Sequence, residues 1–102
     1  MQVIISWRHL EHSKTLEKRI NKKLAHLEKF SHRISKISIV LTREGARSLV
    51  EFKIELNKAP TFLIKEESYD IHEAIDNCVR KSERKIKQYE RKVRSKKSDK
   101  II

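Results

Sequence analysis

The chain carries one cysteine, one glycine, one proline and one tryptophan, and only 6% of its residues are aromatic. A lone cysteine excludes an internal disulfide and a cysteine-based zinc site, which points to a reducing compartment. A lone glycine excludes a glycine-rich phosphate loop, whose backbone must bend freely around the anion. No apolar run approaches the roughly 20 residues that span a bilayer. The polar start Met1-Gln2, followed by a short apolar stretch, is no secretory signal. These absences describe a soluble, cytoplasmic protein. With 102 residues it is long enough for one domain with its own core and too short for two.

Positive charge is what the chain has in excess: 25 Lys and Arg against 14 Asp and Glu, a formal net charge of +11. The excess is uneven. Residues 1–43 hold ten basic and three acidic side chains, residues 44–76 four and eight, and residues 77–102 eleven and three. Two basic stretches flank an acidic middle, the electrostatic footprint of a polyanion partner.

Gln2 to Ser6 predicts a strand. A helix follows over Lys14–Phe30, with Ser13 as N-cap and Leu16, Ile20, Leu24, Leu27 and Phe30 on one face. Ile37 to Leu41 is a second strand. The only glycine, Gly45, marks a turn over residues 44–47. Val50, Phe52, Ile54 and Leu56 alternate with Glu51, Lys53 and Glu55, a half-buried strand with a wet face. Asn57-Lys58-Ala59-Pro60 turns the chain into a fourth strand over Thr61–Glu66.

Asp70 and Glu73 have the spacing of a capping box ahead of a long helix. Its apolar face is Ile71, Ile75, Cys78, Ser82, Ile86, Tyr89 and Val93, and it is expected to end near Arg94. Such a helix is about 37 Å long and overhangs a sheet of strands spanning about 20–27 Å. Residues 95–102 read as a flexible basic tail beyond a single domain over 1–94. The order β-α-β-β-β-α predicts a two-layer α+β sandwich. One crossover makes the first two strands parallel, the remaining pairs are antiparallel, and both helices cover one face.

Helical geometry then sorts the charges. On the first helix Lys14, Lys18, Lys22 and Lys29 fall about 160–240° from Leu16, while Lys23 lies at the edge of the apolar arc. On the second, Arg80, Arg84, Lys87, Arg91 and Arg94 form one stripe at about 140–220° from Ile71, and Lys81, Lys85 and Lys92 a second at about 280–320°. A helix that needed only solubility would mix its signs in i,i+4 pairs. These helices segregate them at a cost in self-repulsion, which implies an anionic partner. With few aromatic residues, most of them at core positions, readout by shape and backbone is expected over base stacking. Both apolar faces are used by the sheet, which leaves no anchor for a membrane.

Other chemistry finds less support. His9-Leu10-Glu11 and His26-Leu27-Glu28 open like a zinc deaminase signature, but its two-cysteine half is impossible here. No His-Glu-x-x-His occurs. His26 and His32 add pH-dependent charge to a basic surface. Trp7 reads as a packing residue, with base stacking from a loop as its alternative. Cys78 falls at a buried apolar position. The sequence therefore predicts no catalytic residue, no metal, no cofactor and no small-molecule substrate.

The segment Glu67-Ser68-Tyr69-Asp70-Ile71-His72-Glu73-Ala74-Ile75-Asp76, in which Asp is followed after three residues by Ala-Ile-Asp, resembles the helix start of the ribosome hibernation-promoting factors, also called ribosome-associated inhibitors. Lys22-Lys23-Leu24, Leu27-Glu28-Lys29-Phe30, Ile39-Val40-Leu41 with Glu44, and Arg84 resemble other parts of that family, over residues 1–94 in all. The resemblance implies a fold like that of double-stranded-RNA-binding domains. It also implies a role in occupying the messenger and transfer RNA channel of the small ribosomal subunit when growth slows. RNA contacts are implied at Arg8, Lys22, Lys23, Lys29, Lys81, Arg84, Lys87 and Lys92, to which the charge stripes add Arg80, Lys85 and Arg91. Length matches the family's short forms, which are associated with ribosome dimers and for which a ribosome modulation factor is a further partner. Three residues depart from the family pattern: Trp7 for a glycine, His72 for a tyrosine, and Ser82 for an apolar residue. The alternative reading is a protein-binding regulator, such as a modulator of a sigma factor.

Overall fold

The structure, a computed structural model, describes the backbone of residues 1–101 and the side chains of residues 1–93. The elements are β1 (Gln2–Arg8), α1 (Lys14–Leu24) continued by a 3₁₀ segment (Ala25–Phe30), β2 (Ile34–Glu44), β3 (Arg47–Leu56), β4 (Thr61–Ser68) and α2 (Ile71–Ile101). The sheet runs β1-β2-β3-β4, with β1 parallel to β2 and the other pairs antiparallel. This is the expected two-layer α+β sandwich.

Alternation decides which way the sheet faces. Ile37, Ile39, Leu41, Val50, Phe52, Ile54 and Ile64 point into the core and are at most 5% exposed, while Val3, Ile5 and Trp7 of β1 pack at its margin. Leu16, Ile20, Leu24, Leu27 and Phe30 close the core from α1 and the 3₁₀ segment, and Ala74, Ile75, Cys78, Val79, Ser82 and Ile86 close it from α2. Each large aliphatic side chain buried this way contributes about 1.5–3 kcal/mol.

The strands are longer than their apolar cores suggest, because backbone pairing continues through polar residues at both ends of the β2–β3 hairpin. Glu44 pairs directly with Arg47, which leaves a two-residue loop with Gly45 at φ 59°. A positive φ at the first loop position is the conformation glycine adopts without a Cβ clash.

The first helix differs from expectation. It is α-helical only to Leu24 and winds tighter from Ala25 to Phe30. The spacing gives the reason. Leu16, Ile20 and Leu24 recur every four residues, but Leu24, Leu27 and Phe30 recur every three, and a 3₁₀ turn stacks residues three apart on one line. Ser13 caps the helix as expected, its Oγ accepting from Leu16 N at 3.2 Å.

The cap of α2 is only half the expected box. Asp70 Oδ1 accepts from His72 N at 3.0 Å, but Asp70 N donates to Ser68 Oγ at 3.1 Å rather than to Glu73. Ser82, the polar residue on the buried face, is fully buried and donates from Oγ to Cys78 O at 2.6 Å, so its hydroxyl is satisfied within the helix. Trp7 lies within β1, half-buried, with its ring 5.0 Å from that of His12 in an edge-to-face contact. It is a packing residue. α2 continues past the expected end at Arg94 to Ile101. The side chains of Arg94 and of the expected tail, 95–102, lie outside the described residues.

Candidate nucleic-acid interface

α1 and α2 lie side by side on the sheet, and a groove runs between them. One stretch, about 330 Å³, is lined by Lys23, His26, Asp76, Val79, Arg80 and Glu83. A second, about 350 Å³, continues along α2 past Arg84, Lys87 and Arg91, and shares Arg80 and Glu83 with the first. Helical phase puts this row on one side of α2. Ile75, Cys78, Ser82 and Ile86 face the sheet, so residues two positions away in either direction face outward.

The nominated residues divide into three groups. Lys22, Arg80, Arg84, Lys85, Arg91 and Lys92 are exposed on the helical layer, and among the described residues none of them is paired with a carboxylate. Arg80 donates to Asn77 Oδ1, and Lys85 lies 5.9 Å from the centre of the Phe62 ring. Lys23, Lys29, Lys81 and Lys87 form the second group. Each is engaged by the protein's own acid: Lys23 with Asp76 at 3.5 Å, Lys29 and Lys87 with Glu83 at 2.5 and 3.1 Å, and Lys81 with Glu66. The third group is Arg8 alone. It is exposed on the open face of the sheet, beside Thr42, Leu49 and Glu67, and is not gathered with the helical bases.

Three of the four paired lysines join elements, and Lys87 pairs within α2. Lys23 and Lys29 reach from the first helix and its 3₁₀ continuation to α2, and Lys81 reaches from α2 to β4. Lys23, placed by helical geometry at the edge of the apolar arc, has a half-buried stem that carries its ammonium across to Asp76. Two lysines hydrogen-bonded to Glu83 hold its carboxyl below the usual carboxylate range. Arg33, which sequence reasoning did not single out, donates to Glu90 at 2.9 Å and ties the start of β2 to α2. Such cross-element partners are invisible to helical periodicity, which orders residues on one helix and says nothing of what faces it.

Burial pushes the Cys78 thiol up to about 12, with the nearby Glu66 charge adding to the rise. The side chain is fully buried, with Sγ 3.6 Å from Val50 O. A thiol so held is no nucleophile. Among the described residues no group of His, Cys, Asp and Glu is arranged to hold a metal, and no helix is long and apolar enough to cross a membrane.

An α+β sandwich whose helical layer carries a row of exposed bases without a carboxylate partner among the described residues is the plan of a small binding domain. The chain belongs to the Sigma 54 modulation protein / S30EA ribosomal protein family, whose model matches residues 3–94. This is the family of the ribosome hibernation and interface factors, small non-catalytic proteins of translation regulation. Among solved structures, the chain is similar to a ribosomal subunit interface protein from Coxiella burnetii. The two are 22% identical with a TM-score of 0.81, over 88% of this chain and 98% of that one. It is also similar to the N-terminal domain of Protein Y from Thermus thermophilus, at 24% identity and a TM-score of 0.78, over 87% and 99%. These likenesses show a shared fold. No curated protein sequence matches the chain.

Proposed function

We propose that the protein is a cytoplasmic ribosome hibernation factor that binds small-subunit ribosomal RNA with its helical layer. Bound at the messenger and transfer RNA channel, it stops translation in stationary phase and favours paired, inactive ribosomes. The observation that carries this reading is the outward row Arg80, Arg84 and Arg91 on α2, exposed and without a carboxylate partner among the described residues. Guanidinium forks spaced along one helix suit successive phosphates of a structured RNA. Lys23 and Lys29 support the surface chiefly by tying the first helix and its 3₁₀ continuation to α2, Lys81 ties α2 to β4, and Arg8 belongs to a separate edge of any contact.

Sedimentation with purified small subunits tests the reading. Comigration at about 50 mM salt that is lost near 200 mM is expected for phosphate-driven binding. The gradient profile of ribosomes mixed with the protein tests the dimer half of the proposal. The family description also names sigma 54 modulation, which keeps a protein partner in view. Failure to comigrate at low salt, together with tight binding to a polymerase component, decides for that second reading.

A further inference from the structure

Glu83 stands where a phosphate-binding surface should tolerate no acid. It lines both stretches of the groove, between Arg80 and Arg84 on its own helix and Lys29 on the 3₁₀ segment. Its side chain is 23% exposed, against 53% for Lys29 and 47% for Lys87, so it is the most covered member of this cluster. An ionised carboxylate can only accept hydrogen bonds. The backbone of DNA offers it acceptors alone, in its phosphate and sugar oxygens. The ribose 2′-hydroxyl of RNA is a donor, and it is the group by which a protein distinguishes the two at a given point.

We infer that Glu83 is a selectivity residue that favours RNA over DNA on the inter-helix groove. This rests on the nucleic-acid reading above and deepens it. A strand lying along Arg80, Arg84 and Arg91 brings its sugars past Glu83. RNA meets the carboxylate with a hydroxyl, whereas DNA brings it phosphate and no donor, a like-charge contact that Lys29 and Lys87 offset only in part. The competing role for Glu83 is a staple between the 3₁₀ segment and α2, and the two roles separate by experiment.

The probes are a 20-base-pair RNA duplex and a DNA duplex of the same sequence, titrated at 50 mM salt against the full chain, Glu83→Gln and Lys29→Met. Glutamine keeps an accepting oxygen and removes the charge. Glu83→Gln is expected to raise affinity for DNA roughly tenfold while changing that for RNA less than about threefold, so the preference for RNA falls. Lys29→Met breaks the staple and keeps the acid. It is expected to weaken both complexes and leave the preference intact. Equal gains for both duplexes in Glu83→Gln, no gain for either, or a preference lost equally in Lys29→Met would each overturn the assignment. Wild-type protein that binds neither duplex and no small subunit at 50 mM salt removes the nucleic-acid reading itself, and the assignment with it.

Discussion

The two exposed faces of this sandwich manage charge in opposite ways. On the open face of the sheet opposite signs sit directly across from each other, Lys36 against Glu55 and Glu51 against Lys65. Cross-strand pairs of that kind stabilise a sheet and leave little net field. A hollow of about 470 Å³ on that face is ringed by bases and acids together, Arg8 and Lys65 with Glu51 and Glu67. On the helical layer each of four lysines meets an acid, yet Arg84 and Arg91 have no such partner among the described residues. The difference shows that the net charge of +11 is not spread as a solubilising coat. The sheet neutralises itself and the helices keep the surplus.

The largest effect expected from that surplus is on salt dependence. Six to ten phosphate contacts imply a loss of roughly three to five decades in affinity for small subunits between about 50 and 200 mM salt, read by sedimentation or filter binding. A flat response would break the comparison. Next is the core that holds the helical layer in place. Ile86 is fully buried on α2, between Arg84 and Arg91 in sequence. Ile86→Ala should lower stability by about 2–5 kcal/mol in denaturant unfolding, because the removed methyl groups leave a cavity.

Changing Arg84 and Arg91 together to Glu should weaken small-subunit binding by roughly a hundredfold. Both side chains are exposed, so the unfolding midpoint should stay within a few degrees of wild type. Loss of folding in that variant would show that these residues do not point outward. The matching change on the sheet, Lys53 and Lys65 to Glu, should alter binding less than about threefold. An equal loss on both faces would erase the distinction.

The smallest effect is on acid stability. Glu83 is held below the usual carboxylate range by Lys29 and Lys87, so their contribution is complete above the ordinary carboxylate value of 4.5. It disappears as pH falls through the depressed value in the folded state. Thermal unfolding of Glu83→Gln between about pH 2 and 5 should therefore follow a shallower slope than wild type.

Much of this was legible from residue order. The four strands, the crossover and the two amphipathic helices followed from apolar spacing, as did the outward phase of Arg80, Arg84 and Arg91. The three-residue spacing of Leu24, Leu27 and Phe30 also stood in the sequence, and it signalled the tighter winding of residues 25–30. The capping bond of Ser68 was harder to see, because Glu73 has the usual spacing for that role and Ser68 does not.

What the sequence determined alone was local and periodic: which residues face the core and which face outward. The expected separation of bases from acids on α2 fails at Glu83, which sits among Arg80 and Arg84 and pairs with Lys87 one turn away. Periodicity suffices for the facing because a helix or strand fixes the direction of every side chain relative to its own axis. Which acid meets Lys23, Lys29 and Lys81 was decided only by tertiary structure. Those contacts depend on how far apart the elements settle and how they are rotated, and no single element carries that information.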